Sequence, residues 1–181
     1  MEIKEKMLEH RFGIEIEMTG ITREKAATIV AEHVNGRKVR AGGYYDKWEV
    51  IQPDGRVWSI VYDGSIVRRK KEGNYLTSAG DLYSVELVSP ILTYNEDIEN
   101  LQEIVRKLRK GGAVSEAELQ CGIHIHLDGA PHTATSIRNF INIIASKNDL
   151  LYKALQIKPE RMRWCKKMDE DLVRKIKTRR P

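Results

Sequence analysis

Three stretches of the sequence place glutamate or histidine at alternate positions within an otherwise apolar run. Glu15 and Glu17 lie in "FGIEIEM", Glu86 lies in "SVELVSP", and His124 and His126 lie in "CGIHIHLDG". Residues two apart on a β-strand point to the same face of its sheet. The spacing therefore predicts strands that present carboxylates or imidazoles on one face and mainly apolar side chains on the other.

Each stretch taken alone is typical of an antiparallel strand with one solvent-facing side. Across all three, however, the central polar positions carry only glutamate or histidine, and the lysine, threonine and arginine of ordinary exposed strands are missing there. Two carboxylates about 7 Å apart repel by ~0.6 kcal/mol in water and by ~2.4 kcal/mol at an effective dielectric constant near 20. A pocket that gathers three of them therefore favours a bound cation, a neighbouring cationic side chain or shifted pKa values.

Carboxylate oxygens with one or two imidazoles suit magnesium or manganese better than zinc, whose structural sites favour cysteine. The common nucleotide motifs GxxxxGK[ST] and GxGxxG are missing from the sequence, and so is the zinc-protease motif HExxH. Cys121 and Cys165 form no CxxC pair, so we expect two free, partly buried thiols rather than a disulfide framework.

The composition is that of a globular protein. The chain has 181 residues, of which 41% are hydrophobic and 31% are charged, which suits one domain with its own core. No apolar run approaches the roughly 20 residues of a membrane helix, and the amino terminus has no apolar signal core, so we expect a cytoplasmic protein that does not bind a membrane. The net charge of +5 comes largely from the basic segment "VRKIKTRRP", which is more typical of a solvated helix end than of a phosphate contact.

The first candidate strand belongs to a predictable series of elements. Alternation from Phe12 to Met18 predicts a strand, and Thr22 is an N-cap for a helix that ends at Asn35-Gly36. Two further strand-like runs, "YDKWEVIQ" and "RVWSIVYD", are joined by the turn "PDG" and predict a hairpin.

The other candidate strands follow in the same way. The polar segment "RRKKEGNYLTSAG" is interpreted as a loop before "LYSVELVSPIL", a strand that Pro90 ends or places at a sheet edge. Asn95 is expected to cap a helix that runs to Lys110, and "CGIHIHLDG" is the next strand. Beyond Gly129 the sequence predicts helices, in "TATSIRNFINIIASKNDLLYKAL" and "ERMRWCKKMDEDLVRKIKT". This order predicts an α+β fold in which helices cover one face of a mainly antiparallel sheet.

The motifs "FGIEIEMTG", "WSIVYDGSI", "VELVSPIL", "CGIHIHLD" and "RWCKKM" stand in the order and approximate spacing of the amidoligase family. That family belongs to the carboxylate-amine ligase superfamily of glutamine synthetase and glutamate-cysteine ligase. The resemblance runs from about Arg11 to Lys167. It implies a glutamine-synthetase-like catalytic sheet that forms a funnel for ATP and two or more Mg²⁺ or Mn²⁺ ions. It also implies an amide-forming reaction in which a carboxylate attacks the γ-phosphate of ATP and an amine displaces the resulting acyl phosphate.

The resemblance also suggests roles for individual residues. It implies that the metal ligands are Glu15, Glu17, Glu86 and His124, and that His126 faces the nucleotide phosphates. His126 has a second interpretation, because a second histidine can simply orient the first.

Four further residues are weaker candidates. The resemblance suggests a substrate or nucleotide role for Asp63 and Ser65, although "DGS" more often forms a plain turn. Arg161 and Arg163 can bind phosphate or a substrate carboxylate through their forked donors, but a salt bridge on a helix surface is the more common use of such residues.

The chain departs from the family at its end. Family members continue to a further strand resembling "EFR", and this sequence reaches Pro181 without it. We therefore expect residues 1–181 to be one amidoligase-like catalytic domain, truncated or completed by a partner, with strands mainly in 11–128 and helices in 133–178. The expected substrates are an amino acid, peptide or protein carboxylate and an amine, and a homo-oligomer is left open. The competing hypotheses are a non-catalytic peptide- or protein-binding module, an inactive fragment and, less favoured, a nucleic-acid-binding protein.

Overall fold

The computed structural model describes residues 3–178, which divide into two compact units between Asp128 and Gly129. The helices of the first unit are α1 (Ile3–Leu8), α2 (Arg23–Val34) and α3 (Tyr94–Lys110). Its strands are β1 (Arg11–Met18), β2 (Arg37–Gly42), β3 (Lys47–Ile51), β4 (Val57–Val61), β5 (Arg69–Glu72), β6 (Tyr75–Ser78), β7 (Val85–Val88), β8 (Leu92–Thr93) and β9 (Ile123–Leu127). The second unit contains α4 (Ala134–Ala154) and α5 (Glu170–Thr178).

One antiparallel sheet organises the first unit. Within the described residues it has seven strands, in the order β2-β3-β4-β7-β1-β8, and β9 also pairs with β1. Every one of these pairings is antiparallel. The predicted α+β class with a mainly antiparallel sheet is therefore confirmed. Strand β1 lies at the centre of the candidate site, because β7 pairs along one of its edges and β9 along the other.

The core lies on one face of this sheet, beneath α2 and α3. It includes inward-facing strand residues such as Met18 and Leu87, together with Val30 of α2 and Ile104 of α3, all of them buried. The alternation of β1 thus does what the sequence predicts, since its even-numbered residues enter the core while Glu15 and Glu17 point to the opposite face. Buried apolar area of this kind supplies most of the driving force for folding.

The caps of α2 were also predicted correctly. The side chain of Thr22 accepts a hydrogen bond from the backbone N–H of Lys25, and Asn35 ends the helix in the left-handed conformation. Helix α3 starts slightly earlier than expected, at Tyr94 with Thr93 as N-cap residue rather than Asn95.

The prediction of a loop for "RRKKEGNYLTSAG" is wrong, because this segment forms the β5–β6 hairpin, a separate two-stranded sheet. Glu72 pairs with Tyr75, which leaves Gly73 and Asn74 as a two-residue turn, and Gly73 has a positive φ of 61°. A Gly-Asn pair is a recognised hairpin signal, but the surrounding charged residues hid it. Strand β2, which pairs with β3, was also missed.

The second unit contains the two predicted helices, but the later one is much shorter than expected. The segment before α5 forms a short 3-10 turn at Pro159–Arg161, and α5 begins only at Glu170. Asp169 explains this start, because its side chain accepts the backbone N–H of Leu172. Among the described residues no helix combines the length and the hydrophobicity needed to cross a membrane. Cys121 is buried and Cys165 is half-buried, and both are free thiols as expected.

Candidate metal centre

The strand register brings the predicted ligands together on the sheet face opposite α2 and α3. Glu15 of β1 lies opposite His124 of β9, and Glu17 of β1 lies opposite Glu86 of β7. We call this surface the carboxylate face and define it by Glu15, Glu17, Ser59, Glu86, His124 and His126. Four strands that are distant in sequence contribute to it, and their pairing in the sheet brings these residues together.

Glu17 and Glu86 are held closer together than an arbitrary pair of facing residues. Ser89 donates its backbone N–H to the carbonyl of Ile14, which makes Ile14/Ser89 a hydrogen-bonded pair. By alternation, Glu17/Glu86 is a non-hydrogen-bonded pair, in which the Cα atoms are about 4.5 Å apart and the side chains are closest. Like charges in directly opposed positions destabilise a sheet. A cation between the two carboxylates would remove that repulsion.

Glu15 connects the two histidines. Its carboxylate oxygens lie 3.0 Å from Nδ1 of His124 and 3.2 Å from Nε2 of His126. A proton on Nδ1 of His124 satisfies the first contact and leaves Nε2 as a free lone pair. That Nε2 lies 3.9 Å from an oxygen of the buried Glu17 carboxylate. A histidine held by a carboxylate through one ring nitrogen is the usual arrangement of a metal-ligating histidine.

Asp63 joins the cluster from the loop after β4. Ligand atoms of Glu17, Asp63 and Glu86 all lie within 4.8 Å of one another, and the same is true of Glu15, Glu86 and His124. The sequence had suggested Asp63 for a substrate or nucleotide role, and its position also makes it a further carboxylate of this candidate metal centre. The turn interpretation also holds, since Asp63 Oδ1 accepts the backbone N–H of Ser65. Ser65 itself is exposed.

Arg23, which the sequence did not identify, fixes the loop that carries Asp63. Its buried guanidinium donates to the backbone carbonyls of Ser84 and Asp81 and pairs with Asp46 at 2.6 Å. The hydroxyl of Ser84 in turn donates to the carbonyl of Asp63 and accepts its backbone N–H. Because Ser84 is two residues before Glu86, the same hydrogen-bond network positions two carboxylates of the cluster.

The electrostatics of the carboxylate face are unusual for surface glutamates. Burial, together with the nearby charges of Glu15, Asp63 and Glu17, raises the pKa of Glu86 to about 7. Burial would also raise the pKa of Glu15, but the hydrogen bonds and charges of His124 and His126 outweigh it and lower that pKa. Glu86 therefore resists ionisation in the metal-free protein, whereas Glu15 is held as a carboxylate.

The donor set fits hard divalent cations. Two groups of three donors share Glu86, which suits two neighbouring ions with one bridging carboxylate. Four carboxylates and one imidazole favour Mg²⁺ or Mn²⁺, because most of the ligand atoms are oxygens. Neither cysteine belongs to the two groups, which makes a zinc site a poorer fit. In sites of this kind, water or substrate oxygens usually complete the coordination of each ion.

The remaining predicted residues lie elsewhere or carry other contacts. Arg161 and Arg163 belong to the second compact unit; Arg161 is buried there, and the guanidinium of Arg163 lies 5.0 Å from the ring centre of Trp164. His126 contacts Glu15 and is more than half exposed, so it is available to a ligand on the carboxylate face.

These features define an α+β protein with a candidate site for divalent cations on one face of an antiparallel sheet. Compared with known families, residues 8–181 match the family model described as "Putative amidoligase enzyme". The chain therefore belongs to this amidoligase family, as its ordered motifs predicted, and membership points to a ligase-type enzyme. A search of curated proteins found no match, and neither did a search of solved structures.

Proposed function

We propose that this protein is an ATP-dependent ligase that joins a carboxylate to an amine and uses two Mg²⁺ or Mn²⁺ ions. The carboxylate cluster around Glu86 carries the proposal. The four carboxylates of this cluster repel nucleotide phosphates unless cations lie between them, so a nucleotide can bind beside the cluster only together with metal ions. The expected ligands are Glu15, Glu17, Glu86 and His124, to which the geometry adds Asp63.

The proposed reaction has two steps. An oxygen of the carboxylate substrate attacks the γ-phosphorus of ATP, the bond to the β-phosphate oxygen breaks, and ADP leaves. The nitrogen of the amine then attacks the acyl carbon, phosphate leaves, and the amine loses a proton as the amide forms. Bound divalent cations would neutralise the phosphate charges during transfer. The sheet would resemble the catalytic sheet of glutamine synthetase.

The residues of this chain have separate tasks in this proposal. Glu15 orients His124 through Nδ1 and keeps its Nε2 directed toward Glu17. His126, exposed beside Glu15, is proposed to contact the nucleotide phosphates. Ser65, Arg161 and Arg163 remain candidate contacts for phosphate or for a substrate carboxylate.

The experiment is metal-dependent release of ADP and phosphate from ATP in the presence of a panel of amino acids, peptides and amines. Glu86→Gln and Glu17→Gln should abolish release. Glu49→Gln is the matched control, because Glu49 lies on the same sheet face but pairs with Lys47 at 2.5 Å. Equal activity in Glu86→Gln and Glu49→Gln would remove the carboxylate cluster from the mechanism. Partner binding that is unchanged by Glu86→Gln and Glu17→Gln, without any turnover, would favour the non-catalytic binding module instead.

A further inference from the structure

Strand β9 directs a row of backbone groups away from the sheet. Glu17 donates its N–H to the carbonyl of Gly122, and Asp128 donates its N–H to the carbonyl of Arg11. In an antiparallel pair the hydrogen-bonded positions alternate, so the backbone groups of His124 face β1. The N–H and C=O groups of Ile123, Ile125 and Leu127 therefore point outward, where no strand of the described residues pairs with them.

The same three residues expose apolar side chains. Ile123, Ile125 and Leu127 retain 59%, 65% and 58% of their accessible surface. Exposed sheet edges are normally protected by lysine, proline, a bulge or a covering element. The sequence of β9, "IHIHL", contains none of the lysine or proline residues that protect an edge. The strand therefore combines an open hydrogen-bonding edge with an apolar strip. Such an edge is suited to pairing with another strand.

We infer that this edge pairs with the same edge of a second copy of the chain. The pattern of "IHIHL" is symmetric about Ile125, which is what a two-fold axis between identical antiparallel strands requires. Ile125 would form a hydrogen-bonded pair with Ile125 of the partner subunit, and Ile123 would pair with Leu127 of the partner subunit. All apolar side chains then meet on one face and all histidines on the other.

The pairing brings the partner into the candidate site. His124 would lie directly opposite His126 of the partner subunit, in a non-hydrogen-bonded position where Cβ atoms are about 4.5 to 5.5 Å apart. Both side chains lie on the carboxylate face, so each cluster gains an imidazole from the other copy. The inference itself rests on the edge geometry of β9 and does not depend on the proposed ligase activity.

The register makes a specific cross-linking test. In a Cys165→Ser background, Ile125→Cys should form a disulfide-linked dimer under mild oxidation, because the two Cα atoms of a hydrogen-bonded pair are about 5.5 Å apart. Ile123→Cys and Leu127→Cys should each remain largely monomeric when oxidised alone, yet cross-link when the two proteins are mixed. Equal cross-linking of all three single variants, or none with Ile125→Cys, would overturn the inference.

Sedimentation provides an independent measurement without nucleotide or metal. The unmodified chain should shift from 20.8 kDa toward twice that mass as its concentration rises, because pairing through one five-residue edge strand should give a small interface of the weak, concentration-dependent class. Ile125→Lys places two lysines opposite each other across the two-fold axis, and their repulsion should weaken the dimer. The monomer–dimer transition should then occur at a concentration at least tenfold higher. Tyr75→Lys, on the exposed β6, is the matched control and should leave it unchanged. A chain that stays monomeric at every concentration would contradict self-pairing. If that monomer bound an added extended peptide, the edge would be assigned to a peptide partner instead.

Discussion

Replacing Glu86 by glutamine should stabilise the metal-free protein, although most substitutions at a half-buried strand position destabilise. The ligand atoms of Glu86 lie within 4.8 Å of those of Glu17 and Asp63. At that distance two unit charges repel by about 0.9 kcal/mol in water and about 3.5 kcal/mol at an effective dielectric constant near 20. Removing one charge should therefore raise the free energy of unfolding by about 1 to 3 kcal/mol at pH 8.

The sign of the pH dependence follows from the raised pKa of Glu86, about 7 in the folded protein against an ordinary value of 4.5. Below pH 4.5 the carboxyl is protonated in both the folded and the unfolded chain, so it causes no loss of stability. Between pH 4.5 and 7 the unfolded chain ionises more readily than the folded one, and the stability contributed by this group falls. Above pH 7 the loss is complete, so the advantage of Glu86→Gln should be present at pH 8 and small at pH 5.

The assay is urea denaturation of the wild type and Glu86→Gln at both pH values, first with EDTA and then with Mg²⁺ or Mn²⁺. Metal should stabilise the wild type and have little effect on Glu86→Gln. Glu49→Gln, which removes a carboxylate paired with Lys47, serves as control and should keep the metal response. A Glu86→Gln protein that is less stable than wild type at pH 8 in EDTA, or that responds equally to metal, would show that Glu86 neither repels its neighbours nor binds the cation.

Three further outcomes are expected. Metal affinity measured by calorimetry should rise about tenfold per pH unit below pH 7 and level off above it, because binding must displace the proton of Glu86; a flat profile from pH 5 to 8 would contradict this. His124→Ala should weaken metal binding by more than the matched variant His126→Ala, and the reverse order would exchange their assigned roles. Arg23→Met should lower the free energy of unfolding by about 3 kcal/mol, because it leaves buried carbonyls and Asp46 unpaired; a loss within the range of ordinary surface variants would show that Arg23 does not support the loop.

Features that depend on local spacing were predictable from the sequence. The alternation of Glu15 and Glu17 fixed the face on which their side chains lie, and Thr22 and Asn35 marked the ends of α2. The register could not be read from these patterns, because the opposition of Glu17 and Glu86 depends on which strands become neighbours. Composition misled where charged residues surrounded a short turn, in the β5–β6 hairpin.

The contributions of Asp63 and Arg23 to the site are both products of tertiary structure. Asp63 follows β4 and reaches the cluster because β4 pairs with β7, which carries Glu86. Arg23 lies in the first turn of α2, where a charged residue is ordinarily exposed, yet it is buried against carbonyls of a distant segment. A buried arginine is compatible with folding only when its donors are satisfied, and the sequence does not show those partners.

Anomalous diffraction from crystals of the protein grown or soaked with Mn²⁺ and an ATP analogue tests whether this face binds metal. Two manganese peaks are expected there, both within coordination distance of Glu86, one shared with Glu15 and His124 and the other with Glu17 and Asp63. A carboxylate face without manganese density, or manganese held only by the exposed His126, would contradict this expectation.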